Sequence, residues 1–134
     1  MDEMKLEGIT LLADDVAGLA HFYENVIGFT VTEREADYVA FDGGGKRLAI
    51  FLRSGMSANT FDHPSYREPR RGQSAELNFE CPSPDVVREK YAELVERGAV
   101  SIAEPVEKPW GHVAGFFADP EGNIHSIFAV IAEG

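Results

Sequence analysis

The feature that most constrains the fold of this chain is an internal repeat. When the 134-residue sequence is displaced by 70 positions against itself, Asp15 falls on Asp85 and Gly28 falls on Gly98. In each copy the glycine therefore follows the aspartate by thirteen residues. That spacing is typical of one helix that begins near the acid and ends at a glycine in the left-handed conformation.

The segments between these markers have the apolar spacing of amphipathic helices. The pattern predicts one helix over 16–26 and a second over 86–95. Asp15 is a natural N-cap of the first helix, and either Ser83 or Asp85 is suited to cap the second.

Alternating apolar and polar residues predict four strands around each helix. One strand precedes each helix, with Ile9, Leu11 and Ala13 facing one core and Leu77, Phe79 and Cys81 facing the other. Three strands follow each helix, over 29–35, 38–41 and 47–53 in the first copy and over 100–106, 112–118 and 123–130 in the second. Each copy is thus a βαβββ module, and the fold class is α+β.

One long irregular stretch, residues 54–73, separates the two copies. It contains Pro64, Pro69 and three arginines, which is the composition of a connection rather than of a strand or helix. We therefore expect a single domain over 1–134, with module one at 5–53, a linker at 54–73 and module two at 74–131. The linker is either a solvated connector or a wall over a binding site.

The charge balance excludes two classes of partner. The chain has 12 Lys and Arg against 23 Asp and Glu, a formal net charge of −11, which repels both nucleic acid and an anionic membrane.

The single cysteine, Cys81, cannot form an internal disulfide, and the N-terminal residues lack the pattern of a signal peptide. We expect a cytoplasmic protein.

Each predicted module has one sheet face covered by its helix and one face left bare. Because an exposed apolar sheet face promotes aggregation, the bare faces must be covered by each other or by a second chain. Such pairing leaves a cleft, which is where a small molecule is expected to bind.

Two motifs resemble a known superfamily. The helix end from His21 to Phe29, HFYENVIGF, and the turn from Asp119 to Asn123, DPEGN, are similar to the vicinal oxygen chelate superfamily. This superfamily includes glyoxalase I, bleomycin resistance proteins and extradiol dioxygenases. The resemblance implies two tandem βαβββ modules that form a curved, eight-stranded mixed sheet around a cleft.

Enzymes of that superfamily usually hold a divalent metal with four side chains from the first and last strands of the two modules. Aligned here, those positions are Gly8, Ala49, Glu76 and Ser126. Glycine and alanine offer no donor atom and a serine hydroxyl is a poor ligand, so we predict no metal and no other cofactor. A one-residue slip of the last strand, which would bring His125 to the site, is the alternative register.

Alternation along the strands, together with the resemblance, predicts a ligand-binding site and no catalytic residues. The predicted ligand-binding residues are Arg47, Phe51, Glu76, Asn78, Trp110, Ser126 and Phe128. Alternatives remain open at three positions. Arg47 and Arg53 are either site residues or solvent charges, with solvent favoured for Arg53. Glu76 is either a general base or a salt-bridged carboxylate, and Trp110 either stacks on a ligand or plugs the sheet edge.

Two functions follow as hypotheses. The first is a metal-independent protein that binds a small molecule, for drug or metabolite sequestration. The alternative is a lyase, isomerase or dioxygenase with a degenerate or unusual metal site that recruits Glu76, His112 or His125, or a metal-free enzyme with Glu76 as the base. Whether the protein is an enzyme therefore stays open. A scaffold whose cleft is filled by its own side chains is a third possibility. The resemblance also implies a homodimer, with modules paired within one chain or exchanged between chains.

Overall fold

A computed structural model describes residues 4–68 and 72–131. The chain divides into two compact units, Met1–Arg70 and Arg71–Gly134. The predicted linker is described only in part, because Pro69, Arg70 and Arg71 lie outside the described residues. Among those that are described, no helix has both the length and the apolar character required to cross a membrane.

The first unit contains a four-stranded mixed sheet. Its strands are β1 (Gly8–Ala13), β2 (Thr30–Arg34), β3 (Tyr38–Asp42) and β4 (Arg47–Leu52), in the order β1-β4-β3-β2. Strand β1 is parallel to β4, and the other neighbours are antiparallel. The parallel pair requires a crossover connection, which the helix between β1 and β2 provides.

Helix α1 (Val16–His21) begins at the predicted N-cap, since the Asp15 carboxylate accepts a hydrogen bond from the Gly18 backbone nitrogen at 3.0 Å. The predicted single helix instead continues as a wider π-helical turn, Phe22–Ile27. The hydrogen bond typical of such a turn is seen at its end, where the Gly28 nitrogen donates to the Tyr23 carbonyl at 3.1 Å, five residues back. Gly28 itself has φ of 94°, the left-handed conformation that the sequence predicts.

The connection after β4 is more regular than predicted. It contains a 3-10 turn at Arg53–Gly55, the short helix α2 at Met56–Asn59 and a second 3-10 turn at Pro64–Tyr66. The prediction of an irregular connection was therefore correct only in excluding a long helix or strand. Turn-forming residues such as Pro64 can start a single helical turn as readily as an irregular loop.

The second unit repeats the strand order of the first. Its strands are β5 (Asn78–Glu80), β6 (Val100–Glu107), β7 (His112–Ala118) and β8 (Ile124–Val130), in the order β5-β8-β7-β6. Strand β5 is parallel to β8, and β7 is antiparallel to both β6 and β8. The fold class is therefore confirmed as α+β, with two βαβββ modules that form two four-stranded mixed sheets.

Helix α3 (Pro84–Glu96) is a regular α-helix, unlike its counterpart in the first unit. Ser83 is the N-cap, with its hydroxyl accepting from the Val86 nitrogen at 3.3 Å, so Asp85 lies in the first turn instead. Proline at the first helical position loses no hydrogen bond, and Gly98 ends the segment with φ of 120°. The buried face of α3 presents Val87, Tyr91 and Leu94 to its sheet.

One core lies between helix and sheet in each unit. In the first, Phe41 and Leu48 are paired across β3 and β4 and are both buried. In the second, Phe117 and His125 occupy the corresponding paired positions on β7 and β8, and they are also buried.

The prediction that Ile9 faces the core is wrong. Ile9 is 42% exposed because it lies on the edge strand β1, whereas α1 packs on β3 and β4.

Candidate functional site

A pocket of about 370 Å³ lies on the face of the second sheet that α3 does not cover. The residues that line it come from β5 with the segment before it, from β7, from β8 and from the loop between β6 and β7. They are Glu76, Asn78, Trp110, His112, Ala114, Phe116, Ser126 and Phe128. Five of the seven predicted ligand-binding residues thus meet in one pocket of one module.

Strand alternation explains why these side chains share a face. On β7 the buried Val113 and Phe117 point toward the helix, so His112, Ala114 and Phe116 point to the opposite side. The register then places Ser126 beside Phe116 and Phe128 beside Ala114. On the other flank, β5 places Asn78 beside Ser126.

An aromatic stack forms one part of the pocket. The rings of His112 and Phe128 lie nearly parallel, with centroids 4.9 Å apart and an interplanar angle of 20°. The two residues are diagonal neighbours, because Phe128 pairs with Ala114 and His112 pairs with Val130. The small Ala114 side chain lies between larger neighbours, so the face is left with a depression.

A polar pair lies beside this stack. The Ser126 hydroxyl donates to the Asn78 side-chain oxygen at 2.6 Å. This hydrogen bond fixes the orientation of the Asn78 amide, because only its oxygen accepts. The two N–H donors of that amide are then available to a ligand carrying an acceptor.

Trp110 stands at the rim, in a tight turn between β6 and β7. Gly111, with φ of 83°, makes the turn possible, and its nitrogen donates to the Lys108 carbonyl at 3.1 Å. The Trp110 side chain lines the pocket while remaining 63% exposed. An indole that plugged the sheet edge would be buried, so the geometry favours the stacking alternative.

Glu76 borders the pocket and is exposed. The hypothesis of a general base required a buried carboxylate, and that burial is absent here. The alternative pairing with Arg47 is also not observed. Arg47 instead forms an ion pair with Glu7, with Nε and Oε2 2.7 Å apart, and donates to the Tyr38 hydroxyl at 2.9 Å.

The remaining two predicted residues, Arg47 and Phe51, belong to the first unit and lie on its own sheet. The hydrogen bond from Arg47 lowers the pKa of Glu7, and the same bond raises the pKa of Arg47. Phe51 meets the Tyr38 ring edge-on at 6.2 Å.

The prediction that Arg53 lies in solvent is wrong. Its side chain is only 16% exposed and lies 3.5 Å from the Asp14 carboxylate rather than in solvent.

The four positions that the resemblance assigns to metal ligands do not fit a metal. Gly8 has no room for a side chain, since a Cβ there would lie 2.5 Å from the Arg47 carbonyl oxygen. Ala49 has only a methyl group, and the Ser126 hydroxyl is already bonded to Asn78. Within the described residues no group of three or more His, Cys, Asp or Glu side chains is arranged to hold a metal ion.

The alternative register at β8 is not observed. Ser126 lines the pocket, whereas His125 is 1% exposed on the helix side of the sheet. Its Nδ1 accepts from the Leu77 nitrogen at 3.0 Å, and its Nε2 lies 3.6 Å from the Asp119 carboxylate. His125 is therefore a core residue that ties β8 to the segment before β5.

The predicted ligand-binding set missed three lining residues, His112, Ala114 and Phe116, although His112 was named as a ligand of the alternative metal site. All three lie on β7, whose bounds were predicted correctly over 112–118. The alternation that was applied to the strands around 49 and 76 would have found them as well. Their side chains carry no motif, which is why only the strand register identifies them.

The comparisons with known proteins agree with this architecture. A family model described as "Glyoxalase/Bleomycin resistance protein/Dioxygenase superfamily" matches residues 5–126. A search of curated proteins found no significant match. Solved structures share the fold at low sequence identity. A glyoxalase/bleomycin resistance protein/dioxygenase from Nocardioides has a TM-score of 0.86 at 24% identity, with 98% of this chain and 86% of that chain covered.

Two further structures show the range of named relatives. A glyoxalase/bleomycin resistance protein/dioxygenase family enzyme from Burkholderia phytofirmans PsJN has a TM-score of 0.85 at 21% identity, covering 96% of this chain and 100% of that one. A lactoylglutathione lyase from Agrobacterium tumefaciens has a TM-score of 0.72 at 21% identity, covering 93% and 92%. Because the family model spans most of the sequence, this chain belongs to the glyoxalase/bleomycin resistance protein/dioxygenase superfamily.

Proposed function

We propose that this protein binds a small, planar organic molecule without a metal, and that the site is the pocket on the second sheet. The observation that carries the proposal is the stack of His112 on Phe128 beside the Asn78–Ser126 polar pair. Aromatic surface combined with a few fixed polar groups is the usual composition of a small-molecule site. Proteins of this superfamily bind small molecules, which supports the same conclusion.

The donor set supports the metal-independent form of the proposal. In the first module Gly8 and Ala49 contribute no ligand atom, and in the second only the Glu76 carboxylate is a good ligand for a divalent cation. A single carboxylate does not hold such an ion in competition with water. The chain's own groups at the pocket are suited instead to stacking and hydrogen bonding, which favours sequestration of a ligand.

Trp110 provides the direct test of binding, because it is the single tryptophan of the chain and stands at the pocket rim. Its fluorescence would be titrated with a panel of planar aromatic and heterocyclic compounds. We expect a saturable change with at least one of them. Phe128→Leu should weaken that binding, whereas Phe51→Leu, at the matched position of the first module, should leave it unchanged.

Two outcomes would contradict the proposal. One is a ligand that binds by calorimetry while the Trp110 emission and the Phe128→Leu variant show no effect. The other is stoichiometric divalent metal in protein purified without chelator, with Glu76→Ala removing the metal. The second outcome would favour the lyase, isomerase or dioxygenase alternative.

Assembly and location belong to the same proposal. We expect a homodimer, because each module has a sheet face that its own helix does not cover, and such faces favour association. We expect a cytoplasmic location for a chain whose single cysteine cannot pair internally. Light scattering across a concentration series measures the mass in solution. A monomer at every concentration would contradict the dimer.

A further inference from the structure

We infer that the ligand of the second-module pocket is a planar cation. This inference rests on the proposed function and adds the chemical class of the molecule bound. The sequence left the sign of the ligand charge open, because the overall acidity favours a cation while inward-facing Arg47 and Arg53 would favour an anion. The structure shows which groups lie next to those two arginines.

Both arginines lie beside carboxylates of their own module. Arg47 is paired with Glu7 at 2.7 Å, and Arg53 lies 3.5 Å from Asp14. Neither lines the pocket on the second sheet. Neither arginine is therefore placed to attract an anionic ligand to this pocket.

The pocket itself combines one acid with several aromatic faces. Of the described residues that line it, Glu76 is the one Asp, Glu, Lys or Arg. Trp110, Phe116 and Phe128 contribute aromatic rings to the same pocket, and the faces of such rings are electron-rich and attract cations. The Asn78 amide donors suit an acceptor on the ligand, but they carry no formal charge. The sign of the ligand charge is therefore set by the carboxylate together with the aromatic faces, and these favour a positively charged planar group over a negative one.

A cation of the protein already lies against one of these rings. The Lys108 ammonium lies over the Phe116 ring, 5.9 Å from the ring centroid. That distance is within the range of cation–π attraction. Lys108 is thus an internal competitor at one edge of the pocket, and its removal should make the pocket more attractive to an external cation.

The test uses three probes of nearly equal shape and different charge: benzamidine, benzamide and benzoate. Binding is followed by the single indole N–H resonance of Trp110 in an NMR titration. We expect benzamidine to bind more tightly than benzamide, and benzoate to bind most weakly. An equal or tighter interaction of benzoate would overturn the inference.

Matched variants separate the pocket from the overall charge. Glu76→Gln should weaken benzamidine about twofold to fivefold, as expected for an exposed ion pair, and should leave benzamide unchanged. Glu89→Gln is the control, because it removes the same charge from an exposed position of α3, on the face of the sheet opposite to the pocket. Equal losses in the two variants would assign the effect to the net charge and overturn the inference.

Lys108→Gln should change the affinity for benzamidine in the opposite direction. The backbone hydrogen bonds of Lys108 to Gly111 and His112 remain in this variant, so the turn should fold unchanged. We expect tighter benzamidine binding, by about twofold, and weaker binding would contradict the competitor role. If neither these probes nor any compound of the fluorescence panel perturbs Trp110, the proposed function fails. If benzamide or benzoate binds at least as tightly as benzamidine, only the ligand class fails.

Discussion

The two modules have the same strand order and the same pairing, yet their uncovered faces carry different side chains. Where β1 meets β4, Thr10 is paired with Ala49, and where β5 meets β8, Asn78 is paired with Ser126. The second pair forms a hydrogen bond at 2.6 Å that orients an amide at a pocket. The same backbone plan thus allows either a pair without a side-chain hydrogen bond or a hydrogen-bonded polar pair at this position. The residue types at the two register positions decide which one results.

A second matched position explains where the pocket comes from. In the first module Phe51 is paired with Tyr38, and the two rings meet edge-on at 6.2 Å. In the second module the corresponding Phe128 is paired with Ala114. A methyl group in place of a phenol leaves space on the sheet, and that space is part of the pocket.

The largest effect should come from the cores, where the two modules are most alike. Phe117 and Phe41 hold corresponding positions and neither is exposed to solvent. Phe117→Ala and Phe41→Ala should each lower the free energy of unfolding by about 3–5 kcal/mol, because each leaves a large cavity. Urea denaturation followed by circular dichroism measures both variants. A loss below about 1 kcal/mol for either would contradict the assigned core.

The next effect concerns the core position at which the modules differ. Leu48 in the first module corresponds to His125 in the second, and His125 accepts a hydrogen bond from the Leu77 nitrogen at 3.0 Å. His125→Leu should cost about 1–3 kcal/mol, because that backbone N–H loses its partner. The same denaturation experiment applies. Leu48→Met, a volume-conserving change with no hydrogen bond at stake, should cost less than about 1.5 kcal/mol.

A result in which His125→Leu is neutral or stabilising would show that the imidazole is not needed to hold the segment before β5. The histidine would then be equivalent to the leucine of the first module. The difference between the modules would in that case be confined to their uncovered faces.

The pocket can be closed by copying the first module into the second. Ala114→Tyr places a ring at the position that Tyr38 occupies beside Phe51. We expect ligand binding at Trp110 to weaken at least about tenfold, equivalent to roughly 1.4 kcal/mol, because the new ring fills the space. Fluorescence titration measures it. Val113→Ile, on the neighbouring residue that faces the helix, is the control and should leave binding unchanged. Unaltered affinity in Ala114→Tyr would place the ligand elsewhere.

Much of the fold could be predicted from the sequence because its signals are local. The Asp15 cap, the Gly28 and Gly98 ends and the strand alternation each depend on a few neighbouring residues. The π-helical turn before Gly28 could not be predicted, since the apolar spacing indicated one continuous helix over 16–26. The exposure of Ile9 was also missed, because only the sheet order shows that β1 is an edge strand.

The site was predictable in part for a similar reason. Glu76, Asn78, Ser126 and Phe128 followed from alternation on two strands, and the structure brings them together with Trp110. The ion pair of Arg47 could not be predicted from the sequence of its own strand, because its partner Glu7 is forty residues away. Long-range ion pairs of this kind carry no periodic signal in a sequence.

The smallest stability effect tests the register position that most strongly excludes a metal site. Gly8 and Glu76 are assigned to matching positions of the two modules, yet only the first is confined. A Cβ at position 8 would lie 2.5 Å from the Arg47 carbonyl oxygen, and that backbone must move to accept it. Gly8→Ala should therefore cost about 1–2 kcal/mol, since the gain from a stiffer unfolded chain offsets part of the clash. Glu76→Ala, at an exposed position, should change stability by less than about 0.5 kcal/mol. Urea denaturation of both variants measures the contrast. If Gly8→Ala is neutral or stabilising, position 8 has room for a side chain, and the absence of a ligand there is a matter of residue identity rather than of space.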